Sequence, residues 1–261
     1  MEELLSIIWP AAVAVWLYMT TFYFLAMLGK NASIVDIGWG MGFVLISTVV
    51  LGRSDDISYL QLLVHILVTL WGLRLATHVF LRNLGRPEDW RYADWRKDWG
   101  KSYPWRSYLQ INMLQGLMML LIAAPIYISA LEAGDSDLTF WASAGTAVWL
   151  IGFFFESVGD YQLRRYIKGG KTKGRIMRYG LWKYTRHPNY FGEVTQWWGL
   201  FIALAGASFW WLGIISPLVI TYLMLKVSGI AMLEKKWDKV KEYQDYKKIT
   251  SAFFPWPPKT N

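Results

Sequence analysis

Long apolar runs recur along this 261-residue chain, and they restrict its possible folds more than any other feature. A helix of about 20 apolar residues is long enough to cross the hydrocarbon core of a bilayer. With 54% hydrophobic residues and 17 Trp, the composition is typical of a membrane protein rather than a soluble domain. We therefore predict an all-α, polytopic membrane protein built as one domain. Seven spans are expected, at about residues 4–28, 33–51, 59–81, 108–131, 138–158, 191–206 and 208–233.

Basic residues concentrate in alternate connecting segments, and this bias predicts the orientation in the membrane. Lys and Arg are enriched in loops that stay in the cytoplasm. They cluster at 82–106, 164–186 and 235–259, whereas the opposite segments hold carboxylates and one cation, Arg53. The N-terminus is then outside and the C-terminus in the cytoplasm. The net charge of +8 follows from this topology and a basic cofactor site rather than from nucleic-acid binding, because the cations lie beside apolar helices.

Several common kinds of site have no support in the sequence. The chain has no cysteine, which excludes disulfides, thiolate metal sites and a cysteine nucleophile. Its histidines, His65, His78 and His187, are too widely spaced to predict a metal site. The glycines of DIGWGMG (36–42) follow no strand, so we interpret them as helix-packing residues rather than a nucleotide loop. No Walker, GxSxG or HExxH motif supports kinase or hydrolase chemistry.

The segment RYGLWKYTRHPNYFGE (178–193) places cations, aromatics and a carboxylate directly before an apolar run. Such a cluster at a membrane helix faces water or a buried polar cavity, because lipid offers charged groups no partner. If the segment is helical, Asn189 and Glu193 share one face. We interpret it as the wall of a site for an anionic cofactor. The alternative is a basic loop that only fixes the orientation.

Ionisable residues also fall inside the expected spans, in the half nearer the cytoplasm. A shared polar cavity open to the cytosol would accommodate them, with Arg74 as the expected donor to the short carboxylate of Asp36. Snorkelling is the alternative for Arg74 and Lys226, and buried charge alone would also fit a transporter or scaffold. The residues are Asp36, Arg74, His78, Glu156, Glu193 and Lys226.

The motifs RHPNYFGE (186–193), DYQLRR (160–165) and NLGRP (83–87), with EYQDYKK and PWPP in the tail, resemble the steroid 5α-reductase family. The resemblance is to its bacterial, DUF1295-like branch of membrane proteins and covers roughly residues 60–258. The RHP-x-Y-x-GE core is shared with membrane methyltransferases of the isoprenylcysteine type. An S-adenosylmethionine-dependent methyltransferase of a lipid or prenylated substrate is therefore the alternative function.

The resemblance implies an NADPH-dependent reductase of the bacterial inner membrane, with its cofactor site facing the cytoplasm. It would transfer hydride to the β-carbon of an enone in a steroid-like or other lipophilic substrate that enters from the lipid bilayer. About residues 1–110 would form the substrate side and 111–261 the cofactor side. Asp36 is the expected catalytic acid, and Trp71 stands about where the family has a tyrosine. The implied cofactor-binding residues are Arg74, His78, Asn83, Arg86, Glu156, Asp160, Arg164, Arg175, Tyr184, Arg186, His187, Asn189, Tyr190, Glu193, Tyr243, Tyr246 and Lys247.

Overall fold

The computed structural model describes residues 2–132, 140–169 and 176–259, and these residues form an all-α structure, as predicted. Within them the only strand-like pairing is an isolated parallel bridge between Thr185 and Ser251. The helices are α1 Glu2–Leu28, α2 Ile34–Leu51, α3 Tyr59–Asn83, α4 Trp90–Trp99, α5 Tyr103–Ser107, α6 Leu114–Ile122, α7 Ala124–Ser129, α8 Phe140–Lys168, α9 Pro188–Ala203, α10 Ile215–Tyr222, α11 Ile230–Trp237 and α12 Lys241–Ile249. Short π-helical segments occupy Tyr108–Met113 and Leu223–Val227, and 3₁₀ turns occupy Gly100–Ser102, Gly180–Lys183 and Trp210–Ile214.

Five helices in the described parts of the chain are long and apolar enough to cross a membrane. They are Glu2–Leu28, Ile34–Leu51, Tyr59–Asn83, Phe140–Lys168 and Trp210–Lys235. The other two expected spans are shorter or interrupted. Pro125 lacks an amide hydrogen and separates α6 from α7, while α9 has only 16 residues. Seven spans and the orientation therefore stay predictions.

The chain packs as two compact units, of which the first is Met1–Thr139 with Gly206–Ile215. In this unit α2 and α3 approach each other closely: a Cβ on Gly40 would lie 2.6 Å from the carbonyl oxygen of Gly72. The hydroxyl of Tyr18 on α1 donates to the Gly38 carbonyl at 3.0 Å. The glycines of residues 36–42 thus serve helix packing, as the sequence predicted.

Large apolar side chains cover the outer surface of the first unit. On α1, Trp9 is 71% exposed and Leu28 is 82% exposed, and exposed Leu and Phe side chains also follow α3. Exposed apolar side chains on helices of spanning length are the side chains that lipid covers.

The second unit is Phe140–Ala205 with Ser216–Asn261. Its centre is the pair α8 and α9, which meet along a seam of glycines. A Cβ on Gly152 would lie 2.6 Å from the Gly192 carbonyl oxygen, and one on Gly199 would lie 2.6 Å from the amide nitrogen of Trp149. Backbones this close leave room for small residues only, as in other tightly packed membrane helices. The seam fixes which side chains of α8 and α9 face each other.

Candidate functional site

Polar side chains gather on the facing surfaces of α8 and α9 within the second unit. Glu156 and Gln196 are 2% and 1% exposed, and the Gln196 amide donates to Glu156 Oε2 at 2.5 Å. Asp160 and Glu193 are each 6% exposed. Asn189 belongs to the same helix pair, because a Cβ on Gly159 of α8 would lie 3.2 Å from its amide nitrogen. The structure thus brings together Glu156, Asp160, Asn189 and Glu193, four of the residues expected at the cofactor.

Some buried polar atoms of this helix pair have no hydrogen-bond partner within the described residues, and three of them are oxygens on residues of the polar face and its edge. They are Asn189 Oδ1, Ser157 Oγ and Gln196 Oε1. A buried polar atom left unsatisfied costs about 1–3 kcal/mol, so groups of this kind fit an incoming amide or hydroxyl. A nicotinamide carboxamide and ribose hydroxyls present such groups, and the buried acceptor oxygens on α8 and α9 therefore fit this part of NADPH.

Arg186 and His187, just before α9, share one carboxylate of α11. Glu234 Oε1 lies 2.8 Å from Arg186 Nη2 and 3.1 Å from His187 Nε2. Arg186 Nη1 donates to the carbonyl oxygens of Thr250, in a short hydrogen bond, and Lys247, at 3.4 Å. The guanidinium therefore holds α11 and the tail against the start of α9.

The histidine of this network is buried, and its imidazole stacks on Tyr190 with ring centroids 5.5 Å apart. Burial lowers the pKa of His187 below its usual 6.5, against the opposing effect of the hydrogen bond to Glu234. His187 is therefore neutral near pH 7. A neutral imidazole keeps one nitrogen as an acceptor.

Hydrogen bonds join the C-terminal tail to the motif segment, residues 178–193. The Arg186 amide donates to the Ser251 carbonyl at 2.9 Å, and the Trp256 amide donates to the Tyr184 carbonyl at 3.0 Å. The Tyr246 hydroxyl donates to the Trp182 carbonyl. These contacts make the 184–187 segment and the tail one packed structure.

Tyr243 and Lys247 of the tail, and Tyr184 of the motif segment, were also expected at the cofactor, and each has contacts within the protein. Tyr243 is 5% exposed, and burial raises the pKa of its phenol above the usual value. Lys247 Nζ pairs with Asp238 at 2.9 Å. Tyr184 is 42% exposed, with Lys183 Nζ 6.0 Å from its ring centroid.

A second polar group lies in the first unit, around Asp36 at the start of α2. Arg91 Nη2 donates to Asp36 Oδ2 at 2.8 Å, and the Tyr92 hydroxyl donates to Asp36 Oδ1 at 2.5 Å. Arg82 lies 4.0 Å from the same carboxylate. Arg74 was the donor expected from the sequence, whereas Arg91 and Tyr92 on α4 were not foreseen.

Hydrogen bonds join the residues at the start of α4 to the turn before α2. The Asp89 amide donates to Ser33 Oγ at 2.7 Å, and the Ala32 amide donates to Glu88 Oε1 at 2.7 Å. Asn83, an expected cofactor residue, reaches the same turn, since its amide donates to the Ser33 carbonyl at 3.5 Å.

Burial and neighbouring charges determine the protonation states of Asp89 and Tyr92. For Asp89, burial is the largest single influence and raises the pKa, but the hydrogen bonds and charge of Arg91 outweigh it and leave the pKa below its usual value. Burial, and next the charge of Asp36, raise the pKa of Tyr92 well above its usual value. Tyr92 is therefore a neutral phenol whose proton points to a carboxylate.

The other expected residues of the first unit lie along α3 and just beyond it. Trp71 is 2% exposed and packs on Phe43 of α2 with ring centroids 5.3 Å apart. Phe43 is seven residues along α2 from Asp36, a rise of about 10 Å. Trp71 is thus buried against α2, about two helical turns from Asp36. Arg74 and His78 are half-buried on α3, and Arg86 is exposed.

Three basic residues beyond the first unit were also singled out from the sequence. Arg164 is half-buried on α8, and Arg175 lies outside the described residues. Lys226, expected at membrane depth, is exposed.

Sequence reasoning also missed Glu234 and Gln196. Gln196 follows Glu193 by three residues and so shares its helix face, a signal that was available. Glu234 could not be selected, because Asp238, Glu242 and Asp245 were equally plausible partners.

Comparison with known proteins identifies the family. The family model described as "Protein of unknown function (DUF1295)" matches residues 22–250. An uncharacterized protein of Schizosaccharomyces pombe is 27% identical over 221 residues, which cover 72% of this chain and 61% of the relative. The 3-oxo-5-alpha-steroid 4-dehydrogenase 1 of Bos taurus is 34% identical over 111 residues, covering 42% of this chain and 40% of the relative. The human enzyme of the same name is 33% identical over 114 residues, with the same two coverages of 42% and 40%.

The matches therefore span less than two thirds of these curated relatives. No solved structure matches the chain. The family match covers most of the chain, and the helices of spanning length agree with a membrane protein. This chain is an integral membrane protein that belongs to the DUF1295 family and is similar to the 3-oxo-5-alpha-steroid 4-dehydrogenases.

Proposed function

We propose that this protein is an NADPH-dependent reductase of a carbon–carbon double bond conjugated to a ketone. The substrate is a steroid-like or other lipophilic molecule that enters from the bilayer. The observation that carries the proposal is the buried polar face of α8 and α9, found in a chain similar to enzymes named 3-oxo-5-alpha-steroid 4-dehydrogenase. A lipophilic substrate also suits a protein whose outer surface is apolar.

On this proposal the α8–α9 face holds the nicotinamide end of the cofactor. Asn189 and Ser157 have buried oxygens that can bond its amide and hydroxyl groups. Glu156 is already fixed by Gln196, so its carboxylate is held in place before any ligand arrives. When bound, NADPH supplies the hydride that reaches the β-carbon of the enone.

Arg186 and His187 have a different role in the proposal. The guanidinium of Arg186 is committed to Glu234 and two backbone carbonyls, which makes it a positioning residue for the motif. His187 stacks on Tyr190 and fixes that ring beside the start of α9. The proposal also keeps Arg74, His78, Asn83 and Arg86 of the first unit, together with Arg164 and Arg175, as residues for the phosphates and ribose.

The Asp36 corner supplies the acid chemistry of the proposal. Hydride addition to an enone puts negative charge on the ketone oxygen, and the α-carbon then takes a proton. The Tyr92 phenol can turn its proton from Asp36 to that oxygen, since Arg91 still neutralises the carboxylate. Trp71 stays in the proposal as an indole donor from α3, and Trp71→Phe tests it by removing the N–H together with the pyrrole part of the ring.

The test is thermal protection of the detergent-solubilised protein. A ligand at 100 times its Kd stabilises the folded state by about 2.7 kcal/mol, which raises the melting temperature by several degrees. We expect NADPH to protect and S-adenosylmethionine not to protect. Protection by S-adenosylmethionine alone would favour the methyltransferase that the RHP-x-Y-x-GE core also allows.

The matched variants are Glu193→Gln and Glu242→Gln. Glu193 is 6% exposed on the α8–α9 face, whereas Glu242 is a half-buried tail residue whose nearest cation is Arg178 at 3.7 Å. We expect Glu193→Gln to weaken NADPH binding about tenfold or more and Glu242→Gln to leave it unchanged. Equal NADPH affinity in both well-folded variants would remove Glu193 from the site.

A further inference from the structure

In the first unit, Arg106 of α5 lies close to the rings of two tryptophans. Trp95 and Trp99 stack with centroids 5.5 Å apart and ring planes 7° from parallel. The Cζ atom of Arg106 lies 6.0 Å from the ring centroid of Trp99 and 5.4 Å from that of Trp105. Cation–π attraction therefore holds the guanidinium close to both aromatic rings.

Arg106 differs from its neighbours in lacking an anionic partner within the described residues. Arg91 pairs with Asp36 at 2.8 Å, and Arg96 pairs with Glu88 at 2.8 Å. The Nε atom of Arg106 is buried and has no acceptor in the described part of the chain. A half-buried guanidinium gains charge-assisted hydrogen bonds when it binds an anion, so the group fits an anionic ligand.

The surroundings of Arg106 place it where hydrocarbon meets water. Trp105 is 55% exposed, and the segment that follows presents Leu109 at 50%, Leu114 at 49% and Leu117 at 49% exposure. Exposed leucines in a membrane protein face acyl chains, while tryptophan is enriched at the headgroup level. The anions present in quantity at that level are phospholipid phosphates.

We propose that Arg106, with Trp99 and Trp105, binds the phosphate of an anionic membrane phospholipid. A planar guanidinium suits the two oxygens of a phosphate diester, and the indoles shield the pair from water. The acyl chains lie along the exposed leucines from Leu109 onward. Because free phosphate has no acyl chains to bury there, the site prefers a lipid.

Other charges on this segment add little selectivity. Lys97 and Lys101 are exposed cations, but Asp94 and Asp98 are exposed beside them and offset their field. The preference for an anionic headgroup therefore depends on Arg106. This site shares no residue with the polar groups proposed for catalysis and does not depend on the reductase proposal.

Native mass spectrometry of the delipidated full chain tests the site, with phosphatidylglycerol and phosphatidylcholine titrated separately. We expect the wild type to prefer phosphatidylglycerol several-fold, because the choline of the second lipid cancels the phosphate charge. Arg106→Gln should weaken phosphatidylglycerol binding about tenfold, which is about 1.4 kcal/mol, and abolish the preference. Arg53→Gln, which removes an exposed cation elsewhere in the same unit, is the matched control and should change neither.

Two further measurements keep the proposal open to refutation. Arg106→Lys keeps the charge but not the planar fork, so it should bind with intermediate affinity; it also serves if Arg106→Gln fails to fold. Inorganic phosphate at millimolar concentration should not displace phosphatidylglycerol. Displacement would mean a free-anion site, and unchanged lipid preference in a folded Arg106→Gln variant would mean that no such site exists. Either result overturns the proposal.

Discussion

The strongest prediction concerns the Glu234 carboxylate, which Arg186 and His187 share. We expect Glu234→Gln to release the tail from the motif segment. The side chains of Arg186 and Glu234 are only 8% and 14% exposed, so solvent screens their attraction little. Breaking a buried ion pair by neutralising one partner costs about 3–5 kcal/mol.

The expected loss lies at the lower end of that range. Arg186 keeps the carbonyl oxygens of Thr250 and Lys247, and a glutamine at 234 can still accept one hydrogen bond. A loss of about 3 kcal/mol corresponds to roughly 100-fold more frequent opening of the tail, since each 1.36 kcal/mol is tenfold. The cost should appear locally, because Arg186 and Glu234 hold α11 and the tail against the start of α9.

Amide hydrogen exchange measures this opening directly. The informative amides are those of Arg186 and Trp256, which donate to Ser251 and Tyr184 between the two segments. In Glu234→Gln both should exchange about 100-fold faster. The control is again Glu242→Gln, whose pair with Arg178 is 3.7 Å long with side chains 32% and 44% exposed. Exposed pairs are worth less than about 1 kcal/mol, so exchange should change less than about fivefold.

A double-mutant cycle isolates the pair itself. Arg186→Gln leaves the Glu234 carboxylate with the more distant Lys247, whose Nζ lies 3.7 Å from Glu234 Oε2, and the double variant removes both charges of the pair. We expect the double variant to open less often than the two single effects combined would predict. Additive effects, or exchange in Glu234→Gln no faster than in Glu242→Gln, would refute the reasoning.

The remaining predictions concern packing, pH and catalysis. Gly152→Ala should cost about 1–3 kcal/mol in thermal unfolding, because its Cβ would meet backbone atoms of α9 at 2.6 and 2.7 Å. Gly169→Ala should be neutral, because its Cβ would lie 3.4 Å from the nearest atom, the Tyr166 carbonyl oxygen. The pKa of His187 in the folded protein is below 6.5, so the unfolded chain binds a proton at this residue more readily, and stability should fall as pH drops below about 6.5. His187→Gln should flatten that part of the profile of melting temperature against pH. Asp36→Asn should lower turnover of an enone more than NADPH affinity, and it should fold because Arg91 keeps Asp89 at 2.8 Å. Tyr92→Phe should lower kcat about 100-fold with little change in NADPH protection, and an equal rate would make Tyr92 structural.

Apolar periodicity and length were sufficient to predict the long helices. The expected spans at 33–51 and 59–81 agree closely with Ile34–Leu51 and Tyr59–Asn83. The span expected at 108–131 is interrupted, and Pro125 was a visible signal that hydropathy alone does not use. The π-helical turn at Tyr108–Met113 had no signal of its own, because it depends on contacts with other helices such as that of Asn112 with the Met19 carbonyl.

The candidate site was predictable where its residues share a helix. Asn189 and Glu193 were expected on one helical face, and both lie on α9. Their opposition to Glu156 was implied only by the family resemblance, because spacing along one helix says nothing about its partner. The donors to Asp36 could not be selected from sequence, since Arg82, Arg86, Arg91 and Arg96 all follow within one basic stretch.

The glycine seam between α8 and α9 limits how such a protein can change over evolution. Where two main chains touch, any added methyl group must separate both helices at once, and neither helix can slide one turn without a clash. Variation in what the proposed reductase accepts is then expected in the first unit and on the bilayer-facing surface, where single side chains can change independently. The helix pair itself would persist as a fixed frame while the surfaces around it diverge.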